Sequence, residues 1–419
     1  MKVLLLNTFE QTGGAAVATN RLLSALRKEN VEACMLVRDK DTKNPYVVSV
    51  NTSWIRQKIN FIRFLWERLI IFLCNNYDRE TVFQLSIANT GTDISRHPLV
   101  KEADIIHLSW INQGFLSLKD IKKLTQLGKP VVWTMHDMWP CTGGCHYPGD
   151  CKRYEDKCHC CFLLSSAGKN DLSFRIFSQK EKIIKKADLT FAGCSNWITQ
   201  QAQKSALLRN KQICNIPNPI NTAVFSPATD KLFLRKTFGL PDDKQLLLFG
   251  ALSLSDKRKG IDYLIEAIRL IPQKENMAIV VFGQAKEEIK NMFQIPVYSM
   301  GYLRNEKRIA ELYNTVDVFV TPSLEDNLPN TIMEAMACGT PCVGFNVGGI
   351  PEMIDHKITG YLATYKDVED LANGIQWVLG NKNSANLSEA CLKKVQENYA
   401  ESIVALKYVE LYQNLLSNN

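Results

Sequence analysis

The sequence predicts an α/β protein made of two doubly wound domains of parallel strands, and three observations predict it. Short apolar runs alternate with amphipathic stretches of helical length, which is how strands and crossover helices read. The alternation is interrupted at Ile216-Pro-Asn-Pro-Ile-Asn221 and then begins again. The chain has 419 residues, and at roughly 100 to 200 residues per domain a single small module is excluded.

In the first half, Lys2 to Asn7, Cys34 to Val37, Asp104 to Leu108, Val131 to Thr134, Leu189 to Gly193 and Gln212 to Ile216 read as strands. Ala15 to Arg27 and Phe174 to Lys186 read as helices between them. In the second half the strands are Gln245 to Gly250, Ala278 to Gly283, Pro296 to Met300, Val316 to Pro322, Cys342 to Asn346 and Gly360 to Ala363. Their helices are Ile261 to Ile271, Glu306 to Tyr313, Thr331 to Ala337 and Val368 to Leu379. The domains expected are residues 1–217, residues 218–400 and a helix over 401–419.

Composition narrows the class. With 46% hydrophobic and 22% charged residues, the chain is ordinary for a globular protein, which excludes wholesale disorder and collagen-like repeats. A formal charge of +7 favours anionic partners such as phosphates or acidic lipids without requiring nucleic acid. The apolar run after Met1 is too short for a secretory signal, so a cytoplasmic location is expected, and there the 13 cysteines should be thiols or metal ligands.

Two segments break the alternation. Residues 54–74 have helical period, with Ile55, Ile59, Ile62, Trp66, Leu69 and Leu73 on one stripe and Arg56, Lys58, Arg63 and Arg68 against the single carboxylate Glu67. Such a helix can lie in a membrane interface; the other reading is a helix covering the sheet or a neighbouring insertion. The second segment, 141–161, holds six cysteines. Cys145, Cys151, Cys158 and Cys161 can supply four thiolates, and the last two have the spacing of half a structural zinc site. Free thiols and disulfides remain the alternatives.

The chemistry should sit beyond the carboxyl ends of the strands, where loops enter helices. Gly13-Gly14 follows the first strand and lets the backbone approach a ligand. Lys257-Arg258-Lys259-Gly260 puts three cations ahead of a helix, where the helix dipole disfavours them; a pyrophosphate accepting from both the helix N–H groups and the cations resolves that conflict. Pro322 to Val343 reads as strand end, polar loop, short helix, glycine stop and strand. It places Asp326 in the loop and Glu334 eight positions on, within the helix. The loop around Asn327 and Asn330 offers backbone N–H groups to phosphate or sugar hydroxyls.

Asp326-x7-Glu334 followed by Ala335-Met-Ala-Cys338-Gly339-Thr-Pro341-Cys342-Val343 resembles the Glu-x7-Glu motif of the retaining glycosyltransferases of family 4, which have the GT-B fold of two facing Rossmann-like domains with a C-terminal helix crossing back to the first. Gly13-Gly14-Ala15, Trp133-Thr-Met-His136-Asp137-Met-Trp139, Ile216-Pro-Asn218 and Lys259-Gly260 extend the likeness over most of the chain. The cysteine stretch narrows it toward the subgroup building bacterial capsule, exopolysaccharide and O-antigen. The resemblance implies that Glu334 binds the donor ribose and that Asp326, shorter than the usual Glu, contacts the donor sugar. It also implies that Lys259, helped by Arg258, clamps the diphosphate, and that Gly14 approaches it. His136 would lie by the reacting carbon and the acceptor, oriented by Asp137, with Gly13 beside them.

The chain departs from the family at Asn218-Pro219-Ile220-Asn221, at Ser109, where close relatives have a second His, and at Ala251, where many members have Arg. The last change leaves more of the phosphate neutralisation to Arg258 and Lys259. No Ser-His-Asp arrangement is evident, and the two carboxylates belong to donor binding rather than to a glycosidase pair. The implied activity is transfer of a sugar from a nucleotide diphosphate to a hydroxyl of a lipid-linked glycan at the inner face of the cytoplasmic membrane, with no cofactor required, structural zinc aside, and no nucleic acid partner. The alternatives are a GT-B epimerase or phosphorylase, which would use the same cradle, and a non-catalytic zinc-bearing scaffold.

Overall fold

The computed structural model describes all residues except 76, 80, 254–255, 285–290, 382–384 and 418–419. Part of the loop between the strand ending at Gly250 and the cations, Leu254 and Ser255, thus lies outside the described residues, as does the end of the C-terminal segment. The chain divides into two compact units, Met1–Asn218 with Val404–Asn419, and Pro219–Ile403.

The first unit is a parallel sheet of β1 (Lys2–Phe9), β2 (Glu32–Asp39), β3 (Val47–Ser49), β4 (Ile105–Leu108), β5 (Val131–Met135), β6 (Leu189–Gly193) and β7 (Gln212–Asn215), in the order β3-β2-β1-β4-β5-β6-β7. Strand residues alternate between the faces. Along β1, Val3 and Leu5 pack on one side with the helix Gly14–Lys28 and the C-terminal helix Glu401–Ser417. Leu4 and Leu6 pack on the other. Burial of both faces is why β1 reads as a continuous apolar run. The C-terminal helix is pinned by its phenols: Tyr412 Oη is 2.5 Å from His107 Nδ1 and Tyr408 Oη is 2.8 Å from Thr134 Oγ1.

The second unit is a parallel sheet of β8 (Gln245–Ser253), β9 (Met277–Gln284), β10 (Val297–Ser299), β11 (Val318–Thr321), β12 (Cys342–Phe345) and β13 (Gly360–Ala363), ordered β10-β9-β8-β11-β12-β13. In both sheets the strand order turns back at one point, between β1 and β4 and between β8 and β11. Such switch points open a crevice at the carboxyl edge of a sheet. The predicted strands are all present. The short edge strand β3 and the helices Leu118–Thr125, Asn196–Lys204 and Ala385–Asn398 were not anticipated; β3 is only three residues long, too short to carry a periodicity.

The helix Trp54–Cys74 forms as expected, capped by Ser53, whose side chain accepts from Arg56 N. Its orientation is not the one the stripe suggests. The apolar stripe is exposed, and the buried residues are Asn60, Glu67, Arg68 and Ile71. It therefore does not cover the sheet with its apolar side.

Candidate active site

In the second unit, the loop after β8 and the loop after β11 meet at the switch point. Asp256 caps a short turn over Lys257–Lys259 by accepting from Arg258 N, and Gly260 ends it at φ 70°. A Cβ at Gly260 would lie 1.9 Å from Pro322 O, so only glycine lets the two loops touch. Leu324 N donates to Arg258 O at 2.7 Å, and Arg258 Nη1 donates to Glu325 O at 2.7 Å. The result is an ion pair of Lys259 Nζ with Asp326 Oδ2 at 2.5 Å, with Arg258 3.7 Å away.

Burial alone would raise the Asp326 carboxyl, but the charges of Lys259 and Arg258 and the hydrogen bonds it accepts outweigh burial and hold it below the usual range. Burial lowers Lys259, and Asp326 opposes that shift. The two residues expected to serve diphosphate and sugar separately are thus each other's partner.

Gly348, at φ 60°, is held as glycine by Asp326 itself, since a Cβ would meet Asp326 O at 2.0 Å. Gly349 N donates to the same oxygen. Both glycines therefore pack against the Asp326 backbone. Asn327 is buried beside it, and Asn330 begins the helix Asn330–Ala337, whose N-cap, Pro329, makes no side-chain hydrogen bond. That leaves the positive end of the helix dipole facing the loop. Glu334 lies on this helix, buried, and Oε2 accepts from Tyr313 Oη at 3.2 Å. Burial, reinforced by the Glu334 charge, raises the phenol far above its ordinary range, so Tyr313 remains a donor. Tyr313 was not found from sequence; it sits 21 positions upstream on another helix, and no spacing rule links the two.

In the first unit, Gly13 at φ 91° caps the helix that Gly14 begins, at the carboxyl end of β1. His136 follows β5, with Nδ1 3.5 Å from Cys194 Sγ. Burial lowers its pKa to about 4 against the opposing charge of Asp137, so the ring is neutral at physiological pH. Asp137 accepts hydrogen bonds from His146 Nδ1 (2.7 Å), Trp110 Nε1 (2.8 Å) and Trp139 N (2.8 Å), and its charge acts on His136.

A Ser-His-Asp sequence of contacts, not evident from the primary structure, is present: Ser86 Oγ to His146 Nε2 at 2.9 Å, and His146 to Asp137. It is not a nucleophile site. Ser86 is completely buried, and Arg68 donates to its hydroxyl at 3.4 Å. These residues brace the loop after His136, joined by Lys180, whose Nζ donates to Trp139 O and Thr142 O and lies 3.4 Å over the Trp139 ring.

Cys145, Cys151, Cys158 and Cys161 stand as free thiols, and Cys158 Sγ accepts from Gly143 N at 3.1 Å. Among the described residues no three His, Cys, Asp or Glu side chains are placed to hold a metal ion. None of the four is in a disulfide.

Two comparisons bear on this arrangement. At the level of fold, sucrose-phosphate synthase from Thermosynechococcus elongatus superposes with a TM-score of 0.70 at 19% identity over the whole of both chains. An Anabaena protein crystallised with UDP does so with a TM-score of 0.63 at 15% identity, over 99% of this chain and 100% of its own. The fold is the GT-B fold. At the level of sequence, residues 243–381, within the second unit, match the family model described as Glycosyl transferases group 1. Similar proteins include the N-acetyl-alpha-D-glucosaminyl L-malate synthase of Bacillus anthracis, 27% identical over 50% of this chain and 56% of that protein. Another is the N,N'-diacetylbacillosaminyl-diphospho-undecaprenol alpha-1,3-N-acetylgalactosaminyltransferase of Campylobacter jejuni, 27% identical over 50% of this chain and 57% of that protein. The alignments span about half the length of these relatives.

Proposed function

We propose that the protein is a retaining glycosyltransferase that moves a sugar from a nucleoside diphosphate to a hydroxyl of a lipid-linked glycan, peripheral to the inner face of the cytoplasmic membrane, in cell-surface polysaccharide synthesis. The observation that carries this reading is the gathering of Arg258, Lys259, Asp326 and Glu334 in one unit, with the first three at the sheet's switch point. Glu334 is suited to a ribose diol, Lys259 and Arg258 to the diphosphate, and Asp326, once released from Lys259, to a hydroxyl of the donor sugar. The match of residues 243–381 supports the donor half, and the Campylobacter relative, named for a diphospho-undecaprenol substrate, supports a lipid-linked acceptor.

In this reading the acceptor oxygen bonds to the anomeric carbon on the face from which the nucleotide leaves. The carbon–oxygen bond to the diphosphate breaks, and the departing phosphate oxygen takes the acceptor proton. Charge grows on that phosphate as the bond breaks, so the two cations stabilise the transition state more than the ground state. Neutral His136 serves as a hydrogen-bonding group beside the acceptor rather than as a cation. No cofactor enters these steps.

The test is thermal stabilisation by a panel of nucleotide sugars and nucleoside diphosphates, then turnover with the donor that binds. Stabilisation lost in Glu334→Ala and a glycoside product carry the reading. A chain that no nucleotide stabilises loses it, and an epimer or sugar phosphate as product replaces it with the epimerase or phosphorylase alternative.

A further inference from the structure

The helix Trp54–Cys74 has its polarity reversed relative to a surface helix of a soluble protein, which turns its apolar stripe to the core. Here the inward side, Ile71 and its partly buried neighbours Ile70 and Cys74 apart, is polar and anchored by hydrogen bonds. Asn60 donates to Asn51 Oδ1 at 2.6 Å; Glu67, fully buried, accepts from Ile87 N and Ala88 N at 2.8 and 2.9 Å. Arg68 donates to Val82 O and Leu85 O and lies 3.2 Å from Glu67. Arg63 also turns inward, to Asn60 and Thr92.

The outward side carries Trp54, Ile59, Ile62, Trp66, Leu69 and Leu73, each 43% to 65% exposed. Two rings beyond the helix, Tyr77 and Phe83, are also exposed, and Phe83 stacks on Phe64. A contiguous apolar surface of this kind marks a binding face. Its charges say which partner it fits. Arg56 and Lys58 are exposed, with Lys58 Nζ 4.7 Å over the Trp54 ring, while the helix's only carboxylate is buried. Apolar side chains, tryptophans and cations are what the interface of an anionic bilayer accepts. Pairing of two copies along the helix would bring Arg56 and Lys58 of each together with no exposed carboxylate on the helix to offset them. No described helix is long and apolar enough to cross a membrane, so the 21-residue helix, about 31 Å long, lies along the surface.

We propose that the outward face of Trp54–Cys74 is a docking surface for an anionic lipid bilayer. It gives the peripheral placement, which rests on the transferase reading above, its surface and its lipid chemistry. The buried contacts from Arg68 through Ser86 and His146 to Asp137 tie the docked helix to the loop beside His136, so a lipid-borne acceptor and its site share one rigid frame.

The test is co-sedimentation of the full chain, without donor, with phosphatidylcholine vesicles with and without phosphatidylglycerol. Binding to the anionic vesicles that falls roughly tenfold or more in Ile62→Ser/Trp66→Ser supports the surface, as does binding that weakens and loses its salt dependence in Arg56→Glu/Lys58→Glu. Phe233→Ser, an equally exposed ring in the other unit, should bind as wild type, and unchanged melting temperatures show the variants folded. Absence of binding by the wild type, or equal binding by Ile62→Ser/Trp66→Ser, overturns the proposal. So does a dimer in sedimentation velocity that the apolar double variant dissolves while vesicles are ignored. Nucleotide stabilisation, measured on the same samples without vesicles, tests the transferase reading separately: a chain stabilised by nucleotide that stays off vesicles loses only the docking surface.

Discussion

At the scale of single residues, the site depends on which ion pairs form when no donor is bound. Lys259 and Asp326 neutralise each other at 2.5 Å, so their variants should differ. Lys259→Ala should lower turnover by about 10²- to 10³-fold, the range for losing one preorganised charge on a developing anion. Asp326→Asn should keep the nucleotide-induced rise in melting temperature while turnover falls, because both cations remain for the diphosphate while the sugar contact and the charged partner of Lys259 are lost. Steady-state rates with thermal shifts on the same proteins separate the two.

The buried histidines make a second residue-scale prediction. Burial lowers His107 to about 3 and His136 to about 4, below their unfolded value of about 6.5. The unfolded chain therefore binds more protons below that pH. The stability these neutral rings contribute is complete above about pH 6.5 and is lost as pH falls toward their folded values. Each should add up to about 1.4 kcal/mol per pH unit to the slope, readable from urea unfolding between those limits. Transfer rates should in turn show no titration of His136 near neutrality.

At the scale of elements, loops and helices are held by contacts that leave little room for substitution. Gly260 combines a left-handed backbone with a 1.9 Å approach to Pro322 O, so Gly260→Ala should cost about 2 kcal/mol or more and weaken nucleotide binding as the β8 and β11 loops separate. His146→Ala should cost about 1 to 3 kcal/mol, since it removes one of the hydrogen bonds to a buried carboxylate and leaves the Ser86 hydroxyl without that partner. Calorimetry of the full chain checks both. The strands and most helices were legible in the sequence because apolar periodicity is local. Tyr313, His146 and the Asp137 contacts were not, because they join elements whose proximity no local pattern encodes.

At the scale of the whole molecule, the last helix is part of the first unit although its sequence lies beyond the second. Tyr408 and Tyr412 supply hydroxyls to Thr134 and His107, and the helix covers one face of the β1 sheet. A chain ending at Ile403 should therefore lose solubility or melt at markedly lower temperature in the first unit. The second unit's transition should move far less, which two-domain calorimetry resolves. Tyr412→Phe, a gentler change, should cost about 1 kcal/mol.

By itself the sequence determined the α/β alternation, the interruption at Ile216–Asn221, and the residues Lys259, Asp326 and Glu334 at strand ends and helix starts. Those follow from patterns a few residues long, which the backbone obeys wherever the segment finally packs. The tertiary structure decided which way the Trp54–Cys74 stripe faces, because periodicity states that a helix has two sides and not which one meets the core. It also paired Lys259 with Asp326 across 67 positions and brought His146 to Asp137. Buried charges take the partners that folding brings within hydrogen-bond reach, and sequence proximity does not choose them.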